Sequence, residues 1–380
     1  MAKLGEVCTI VSGSTPKTSV TSYWDGNIKW ITPAELNEDT FYIMDSVRHI
    51  TEEGKEKTGL SYLPAGTVIL SSRAPIGKTA IAGCEMCCNQ GFKNLICSDA
   101  IYNEYLYFFL KSKTDYLNSL GRGATFKEIS KSIVESIEIP LPEVNQQKEI
   151  AEKFKKLEQL ISLRKQQLAK LDELVKARFV EMFGDPVNNP MNYPKSHLGK
   201  VCDVRDGTHD SPEYYDVGYP LVTSKNVTGG KIDLSECNLI SEDDYKKICE
   251  RSKVDRGDII MPMIGTVGKP VIVNIEPMFA IKNVALIKFT PNSLVINIYI
   301  KTLLESDYFD RAVLDKIRGG TQKFIALGDI RKLEIILPDL KHQQCFSAFV
   351  ERVNQQKQTV QQSLEKLELM KKALMQEYFG

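Results

Sequence analysis

The segment LAKLDELVKARFVEMFG, residues 168–184, recurs as LEKLELMKKALMQEYFG at residues 364–380 and is the clearest indication of how the chain is organised. Eight of the seventeen positions are identical, where chance would give about one. Both copies are rich in Leu, Lys and Glu and contain no Pro, a composition typical of helix. The chain is therefore predicted to be an internal duplication with a period of about 195 residues.

Weaker matches keep the same order along the two halves. The pairs are residues 4–8 with 198–202, 66–70 with 257–261, 77–78 with 268–269, 93–94 with 282–283, and 137–142 with 333–338. Each half has short β-branched runs bounded by Gly and Pro, one amphipathic helix (102–120; 298–317), a basic loop and a closing strand. We predict an α+β fold: two tandem mixed α/β modules at 1–142 and 185–338, and two long helices at 143–184 and 339–380.

The long helices carry apolar seams whose members recur at alternating spacings of three and four. In the first helix they are Ile150, Phe154, Leu157, Ile161, Leu168, Leu171, Val175 and Met182, interrupted by Arg164 and Arg178. In the second they are Phe346, Val350, Val353, Val360, Leu364, Leu367, Leu374 and Tyr378, interrupted by Lys357 and Lys371. Such seams need a partner, so we predict that the two helices pair with each other. The alternative is that each helix lies along its own module.

Composition limits the class of protein. The 380 residues suffice for two or three domains, with 42% hydrophobic and 26% charged residues, as in globular chains. We expect a cytoplasmic protein, because no apolar run reaches the ~18 residues of a membrane span and the N-terminus lacks a signal-peptide core. The nine cysteines are predicted to be reduced thiols. Since 49 basic residues balance 49 acidic ones, an anionic partner must be met by local basic patches.

The sequence contains no complete catalytic motif. Residues 74–79, APIGKT, lack the glycine that a phosphate-binding loop needs five positions before Gly77, where Ser72 stands. The cysteines at 84, 87, 88 and 97 have no complete zinc-ligand spacing and no counterparts in the second half, which favours core thiols over a zinc-dependent enzyme. The four histidines do not suggest a catalytic triad. No catalytic or metal-binding residue is predicted.

A basic loop occurs at the same place in both halves. Residues 111–131 carry a net charge of +3 around Arg122 and Lys127, and residues 311–332 carry +4 around Arg318 and Lys323. Gly and Thr accompany these cations in both loops. Since backbone amides and cations together suit phosphate oxygens, the loops are predicted to contact a nucleic-acid backbone, the alternative being a solvated charged face.

Several motifs in the first half resemble those of a known family. They are GSTP at 13–16, YWDGNIKWITP at 23–33, Ser71-Ser72-Arg73 with Gly77-Lys78, NQGFK at 89–93, and IPLP at 139–142 followed by Gln146-Gln147. Together with the duplicated plan, they make the whole chain resemble the specificity subunit of type I restriction-modification enzymes. The second half departs from the pattern, with GTHDSP at 207–212, Met263-Ile264 and Ala280-Ile281 at the corresponding places.

The resemblance implies a non-catalytic DNA-recognition subunit. Each module would be a target recognition domain for one half of a bipartite double-stranded DNA site. The two helices would pair as an antiparallel coiled coil, which gives the duplicated chain a pseudo-twofold axis, and they would set the spacer and dock two methyltransferase subunits. The assembled complex would methylate adenine with S-adenosylmethionine, and restriction subunits would add ATP- and Mg-dependent translocation and cleavage, with no cofactor in this chain. The remaining alternative is a coiled-coil scaffold that does not read DNA sequence.

The predicted DNA-contact residues combine the basic loops with the motif positions. They are Lys17, Ser72, Arg73, Lys78, Asn89, Gln90, Lys93, Arg122, Lys127, Thr208, His209, Lys225, Lys269, Lys282, Arg318 and Lys323. Among them, base reading in the first module is predicted for Ser72, Arg73, Asn89, Gln90 and Lys93, because Arg pairs with guanine and Asn or Gln with adenine in the major groove.

Overall fold

The structure, a computed structural model, describes residues 1–37, 39–122, 127–264, 269–313 and 324–380. It divides into two compact units, one formed by residues 1–165 and 362–380 and the other by residues 166–361. Each unit therefore contains one module and a portion of both long helices. The predicted α+β fold with two tandem modules is confirmed.

The first module contains ten strands and five helices among its described residues. They are β1 Ala2–Lys3, α1 Leu4–Val7, β2 Cys8–Ser12, β3 Trp24–Ile31, β4 Tyr42–Ile43, β5 Arg48–Ile50, α2 Glu52–Thr58, β6 Val68–Ser71, β7 Thr79–Ala82, β8 Cys87–Cys88, β9 Phe92–Cys97, α3 Asn103–Ser112, α4 Thr114–Leu120, α5 Lys131–Ser136 and β10 Glu138–Ile139. The long helix α6, Val144–Phe183, follows.

The second module repeats this order with local differences. Its elements are β11 Lys195–His197, α7 Leu198–Val201, β12 Asp203–Asp206, β13 Tyr219–Val222, β14 Val227–Thr228, β15 Lys231–Ile232, β16 Asn238–Ile240, α8 Glu242–Ser252, β17 Ile259–Pro262, β18 Val271–Ile272, β19 Ala280–Ile281, β20 Val284–Lys288, α9 Asn297–Leu304, α10 Asp307–Val313, α11 Leu327–Arg331 and β21 Glu334–Ile336. The second long helix, α12, spans Leu340–Phe379.

The sheets show that the two modules share one topology. The order β2-β9-β6-β7 in the first module corresponds to β12-β20-β17-β18 in the second, and β5-β3-β8 corresponds to β16-β13-β19. In both, the first strand pairs antiparallel with the closing strand, β1 with β10 and β11 with β21. The first module adds β4 as an edge strand, whereas the second has the β14–β15 hairpin. The duplication thus preserves the scaffold and varies its periphery.

The single amphipathic helix predicted in each module is wrong, because each prediction covers two short helices. In the first module the helix breaks at Lys113, between α3 and α4, where the hydroxyls of Ser112 and Thr114 donate to the carbonyls of Phe109 and Lys111 at 2.7 and 3.0 Å. Such side-chain bonds compete with the helical backbone pattern. The second module breaks in the same way between α9 and α10, and predicted residues 314–317 lie outside the described residues.

One buried glutamine joins each long helix to its module. Gln147 is fully buried, and its amide oxygen accepts from the backbone N–H of Tyr102 at 2.8 Å. Its nitrogen donates to the carbonyls of Ala100 and Pro142 at 3.0 and 2.8 Å. Gln343 makes the same three bonds in the second module, to Ile296, Leu294 and Pro338. Both side chains satisfy backbone groups where a chain segment enters the core.

In the first unit the two long helices run antiparallel. Glu158 on α6 pairs with Lys371 on α12 at 2.9 Å, and Lys153 donates to the Tyr378 hydroxyl at 3.0 Å. The contacts therefore move backwards along α12 as they advance along α6. Phe379, the last residue of α12, is buried and packs edge-on against Tyr105 of the module, with ring centroids 5.2 Å apart. Lys371, which interrupts the apolar seam, is thus neutralised by a carboxylate on the facing helix.

The second unit repeats the arrangement with the roles of the helices exchanged. Lys357 on α12 pairs with Asp172 on α6 at 2.5 Å, and Phe179 packs against Phe346. Phe183, at the end of α6, packs against Tyr299 with centroids 5.0 Å apart. The first part of each helix packs on its own module, as Phe154 does against Phe108. The end of each helix is buried in the unit that contains the other module, so the alternative in which each helix lies along its own module does not hold for the whole helix.

The predicted seam residues are buried or half-buried at every position. Apolar side chains outside the seams remain exposed on the helices. In the first unit these are Leu160, Leu163, Leu369 and Met370, and in the second Leu174, Val180 and Leu340.

Candidate nucleic-acid interface

Three loops of the first module are tied together at one end of the β6–β9 pair. The N–H of Ser72 donates to the carbonyl of Gly91 at 2.7 Å, and the N–H of Ile129 donates to the carbonyl of Ser72 at 2.9 Å. Arg122 and Glu128 exchange two backbone bonds of 3.1 and 3.0 Å. We call residues 71–78, 88–93, 121–122 and 127–129 the first loop cluster. It brings the predicted motif residues and the first basic loop to one place.

An ion cluster lies at its centre. The Glu128 carboxylate accepts from Arg73 Nε at 2.9 Å and from Lys93 Nζ at 3.0 Å. Burial alone would raise the pKa of Glu128, but the hydrogen bonds from Lys93 and Arg73 outweigh it and lower that pKa. Glu128 is therefore ionised at neutral pH, and Arg73 is held by a charge-assisted bond.

Two of the residues predicted to contact bases, Ser72 and Lys93, have buried side chains. Ser72 is fully buried, and Lys93 is only 6% exposed. Since a base edge cannot reach side chains enclosed in this way, direct reading by either residue is incompatible with the described conformation. Arg73 is the ion-cluster member with the greatest exposure, its side chain being 43% accessible.

The other predicted residues of the first module differ in availability. Lys78 donates its ammonium to the carbonyls of Leu36 and Pro33 at 2.6 and 3.3 Å, which commits it to the fold. The half-buried Asn89 accepts from the N–H of Gly91 at 2.8 Å, and the exposed Gln90 accepts from the Thr15 hydroxyl. The cations exposed to solvent are Lys17, Arg122 and Lys127.

Part of the predicted basic charge is used inside the protein. Lys111 lies in α3 and pairs with Glu158 at 3.4 Å. Arg331 donates through Nε and Nη2 to the carbonyl of Val204 at 2.9 and 2.7 Å, and Arg311 pairs with Asp185 at 3.2 Å. The net charges of the two loops therefore overstate the number of cations offered to a ligand. Arg318 and Lys323 lie outside the described residues.

In the second module, residues 206–211 form a different loop. His209 lies with Nδ1 2.9 Å from Asn283 Oδ1 and Nε2 2.9 Å from Asp206 Oδ2. The Asp206 carboxylate also accepts from Arg251. Asp206 is buried, whereas the side chains of His209 and Arg251 are 61% and 66% exposed. A buried carboxylate thus holds two exposed cation-forming groups at the loop.

The remaining predicted residues of the second module surround this loop. Thr208 forms a parallel bridge with Lys282, whose ammonium donates to the Ser211 hydroxyl at 2.7 Å. Lys225 and Lys269 are exposed. All three lysines are in the second unit, but no described contact joins Lys225 or Lys269 to residues 206–211.

Both ring nitrogens of His209 face acceptor oxygens, which only an imidazolium can satisfy with two N–H donors. The hydrogen bonds to Asn283 and then Asp206 raise the pKa of His209 above its ordinary value. The stabilisation is present below the ordinary pKa and disappears as the pH rises through the raised one. We expect Asp206→Asn to lower the pKa of His209, measured by NMR titration of the imidazole. The other three histidines are internal references, and an unchanged His209 titration would contradict the assignment.

The carboxylates of the two ion-pair groups, Glu128 and Asp206, were not among the predicted site residues. Glu128 entered the prediction only through the net charge of the first basic loop, which it reduces by one. Asp206, Arg251 and Asn283 lie far apart in the sequence. The only available signal was a single carboxylate between Lys127 and Lys131.

Among the described residues, no group of three His, Cys, Asp or Glu side chains could hold a metal ion. The four cysteines considered as zinc ligands are free thiols, of which Cys87 and Cys88 are buried. Cys88 accepts from Asn94 at 3.0 Å, and Cys87 donates to the carbonyl of Ser61 at 3.6 Å. None of the described helices combines the length and apolarity required to cross a membrane.

The protein is a duplicated chain whose two modules share one strand order and carry different side chains on their loops. The chain belongs to the family of type I restriction-modification specificity subunits. It matches the family described as type I restriction modification DNA specificity domain over residues 1–173 and 190–369. Subunits of this kind are non-catalytic, bind DNA and assemble with other subunits.

Two curated relatives from Methanocaldococcus jannaschii are similar over most of the chain. The type I restriction enzyme MjaIX specificity subunit is 30% identical, covering 94% of this chain and 88% of its own length. The MjaVIII specificity subunit is 26% identical, covering 74% and 70%. The Escherichia coli EcoR124I/EcoR124II specificity subunit is 27% identical over 41% of this chain and 40% of its own.

Solved structures share the fold at low sequence identity. The S subunit of a type I restriction-modification system from M. genitalium matches with a TM-score of 0.58 and 15% identity, covering all of this chain and 95% of its own. A structure described as the basis of complex assembly and conformational transition of the type I R-M system matches with a TM-score of 0.64 and 19% identity, covering all of this chain and 96% of its own.

Proposed function

We propose that each module reads one half of a bipartite double-stranded DNA sequence through its loops. The observation that supports this most directly is the pair of modules with one strand order and different loop side chains. A shared scaffold keeps the loops in equivalent positions, while their chemistry selects different bases. Two unlike modules then specify an asymmetric site. The coiled-coil scaffold that does not read DNA is not favoured, because the chain belongs to a DNA-specificity family.

We further propose that the helices dock two methyltransferase subunits. This is supported by exposed apolar side chains that do not belong to the seam between α6 and α12: Leu160, Leu163, Leu369 and Met370. Such side chains are suited to packing against a helix of a partner protein. The assembled complex would methylate adenine with S-adenosylmethionine, and restriction subunits would add ATP- and Mg-dependent translocation and cleavage in the cytoplasm. The chain itself would carry no cofactor.

The test is to map methylated adenines in the source genome with and without this gene. The expected result is one bipartite, interrupted motif that loses methylation in the deletion strain and regains it when the gene is restored. A methylation map that is identical in both strains would contradict sequence reading by this chain.

The exposed cations of the first loop cluster should contribute to phosphate binding. Replacing Arg122 and Lys127 with Ala should weaken DNA binding at all sequences and flatten its salt dependence, by roughly 0.9 in log-log slope for each phosphate that is no longer neutralised. Lys111→Ala is the control for each single change, Arg122→Ala or Lys127→Ala, because it removes one positive charge from a lysine that pairs with Glu158 inside the unit. Titrations by fluorescence anisotropy at several salt concentrations give the slopes. Equal slopes in the double variant and the control would refute the assignment.

We also propose that the helices set the spacer between the half-sites. Deleting residues 161–167 and 357–363 removes one heptad from each helix and keeps both seams in register. Seven residues at ~1.5 Å shorten a helix by about 10 Å, close to three base pairs at ~3.4 Å each. Methylation of a library with fixed half-sites and variable spacers should shift its optimum by about three base pairs, with reduced efficiency because DNA rotates with length. An active complex that keeps the original optimum would refute the proposal.

A further inference from the structure

The two modules place one pair of residues at the same backbone position. In the first module Arg73 and Glu128 form an isolated antiparallel bridge, next to the bond from the N–H of Ile129 to the carbonyl of Ser72 at 2.9 Å. In the second module Ile264 and Phe324 form the same kind of bridge, next to the bond from the N–H of Ile325 to the carbonyl of Met263, also 2.9 Å. We call these two pairs, 73/128 and 264/324, the bridge pairs.

The bridge pairs share geometry but differ in chemistry. The first consists of a guanidinium and a carboxylate joined by an ion pair. The second consists of two apolar side chains: Ile264 is half-buried against the core of its module, and Phe324 is 39% exposed. A large aromatic side chain that is partly exposed gains nothing from its contact with solvent. The backbone accepts either pair, so the side chains are free to vary with the ligand.

Glu128 orients the Arg73 side chain and leaves hydrogen-bond donors of the guanidinium available. The ion pair uses Nε of Arg73, and among the described residues neither terminal nitrogen has a hydrogen-bond partner. Two guanidinium donors match O6 and N7 of guanine in the major groove. Glu128 itself would repel phosphate, so its position beside Arg73 suits orientation and not attraction of DNA.

We propose that the bridge pair is a specificity-determining position of each module. In the first, Arg73 reads a guanine and Glu128 is its positioning residue. In the second, Phe324 beside Ile264 contacts the methyl group of a thymine, an apolar contact available in the major groove. This inference rests on the proposed function, because it assigns bases to bridge pairs in loops that are proposed to read DNA.

The test selects bound DNA from a randomised library with the full chain assembled with its modification subunits. Arg73→Ile combined with Glu128→Phe installs the second module's pair in the first. The expected result is loss of one guanine preference in the first half-site, by roughly 5- to 100-fold, with the second half-site unchanged. Glu128→Gln alone should weaken the same preference while raising affinity for non-specific DNA, a combination that a purely structural role would not produce. Unchanged base preferences in both variants would overturn the assignment of Arg73 and Glu128.

The double variant leaves the buried ammonium of Lys93 without Glu128 and can lose stability for that reason. Phe324→Ala avoids this problem, because Phe324 is partly exposed and carries no charge. It should reduce a thymine preference in the second half-site several-fold while the chain remains folded, as a cooperative thermal transition would show. An intact thymine preference would overturn the assignment of Phe324. A wild-type complex that selects no sequence would instead contradict the proposed function, so the two failures are distinguishable.

Discussion

Exchanging residues 1–142 for the corresponding module of a relative is expected to replace one half of the recognised sequence and leave the other half unchanged. The physical reason is that each module has its own hydrophobic core, and the two cores share no residue. The exchange also leaves both long helices intact, so the faces that pack on the module remain. Methylation by the assembled complex, mapped on genomic DNA, gives both half-sites in one measurement.

The reciprocal exchange of residues 185–338 is the matched control and should replace only the other half. The incoming first module must present aromatic residues at positions 105 and 109, because Tyr105 and Phe109 pack against Phe379 with centroids 5.2 and 5.8 Å away. A folded, active chimaera in which both half-sites change would show that the modules do not read DNA independently.

Replacing Gln147 with Leu is expected to lower the free energy of unfolding by roughly 3–5 kcal/mol. Leu would leave the N–H of Tyr102 and the carbonyls of Ala100 and Pro142 without their partner in a buried site. Each unsatisfied buried group costs ~1–3 kcal/mol, and partial relaxation keeps the total below the sum of the separate costs. The effect should appear as a drop of about 10 °C in the melting temperature measured by calorimetry.

The chain supplies its own controls for this experiment. Gln146 and Gln344 are exposed neighbours of the two buried glutamines, and their substitution by Leu should change stability by no more than ~0.5 kcal/mol. Gln343→Leu should reproduce the large effect in the second unit, where the same three bonds occur. A Gln147→Leu variant as stable as Gln146→Leu would show that the attachment of α6 to its module does not depend on this side chain.

The loop clusters were the least predictable part of the molecule. Local signals located the motif residues and the exposed cations Arg122 and Lys127, but not which side chains are enclosed. Ser72 and Arg73 are adjacent in the sequence, yet one is fully buried and the other carries an accessible guanidinium. That difference arises because Gly91 and Ile129, from two distant segments, bond to the backbone of Ser72.

The duplication, the α+β class, the two long helices and their apolar seams were predictable, because helix periodicity and internal repeats can be recognised in the order of residues along the chain. The folded structure was needed to establish which module each helix end enters, since burial of Phe379 against Tyr105 and of Phe183 against Tyr299 joins residues far apart in the sequence. It likewise decided the partners of charged residues. An ion pair such as Glu128 with Lys93 depends on loops meeting in space, and no spacing along the chain encodes that meeting.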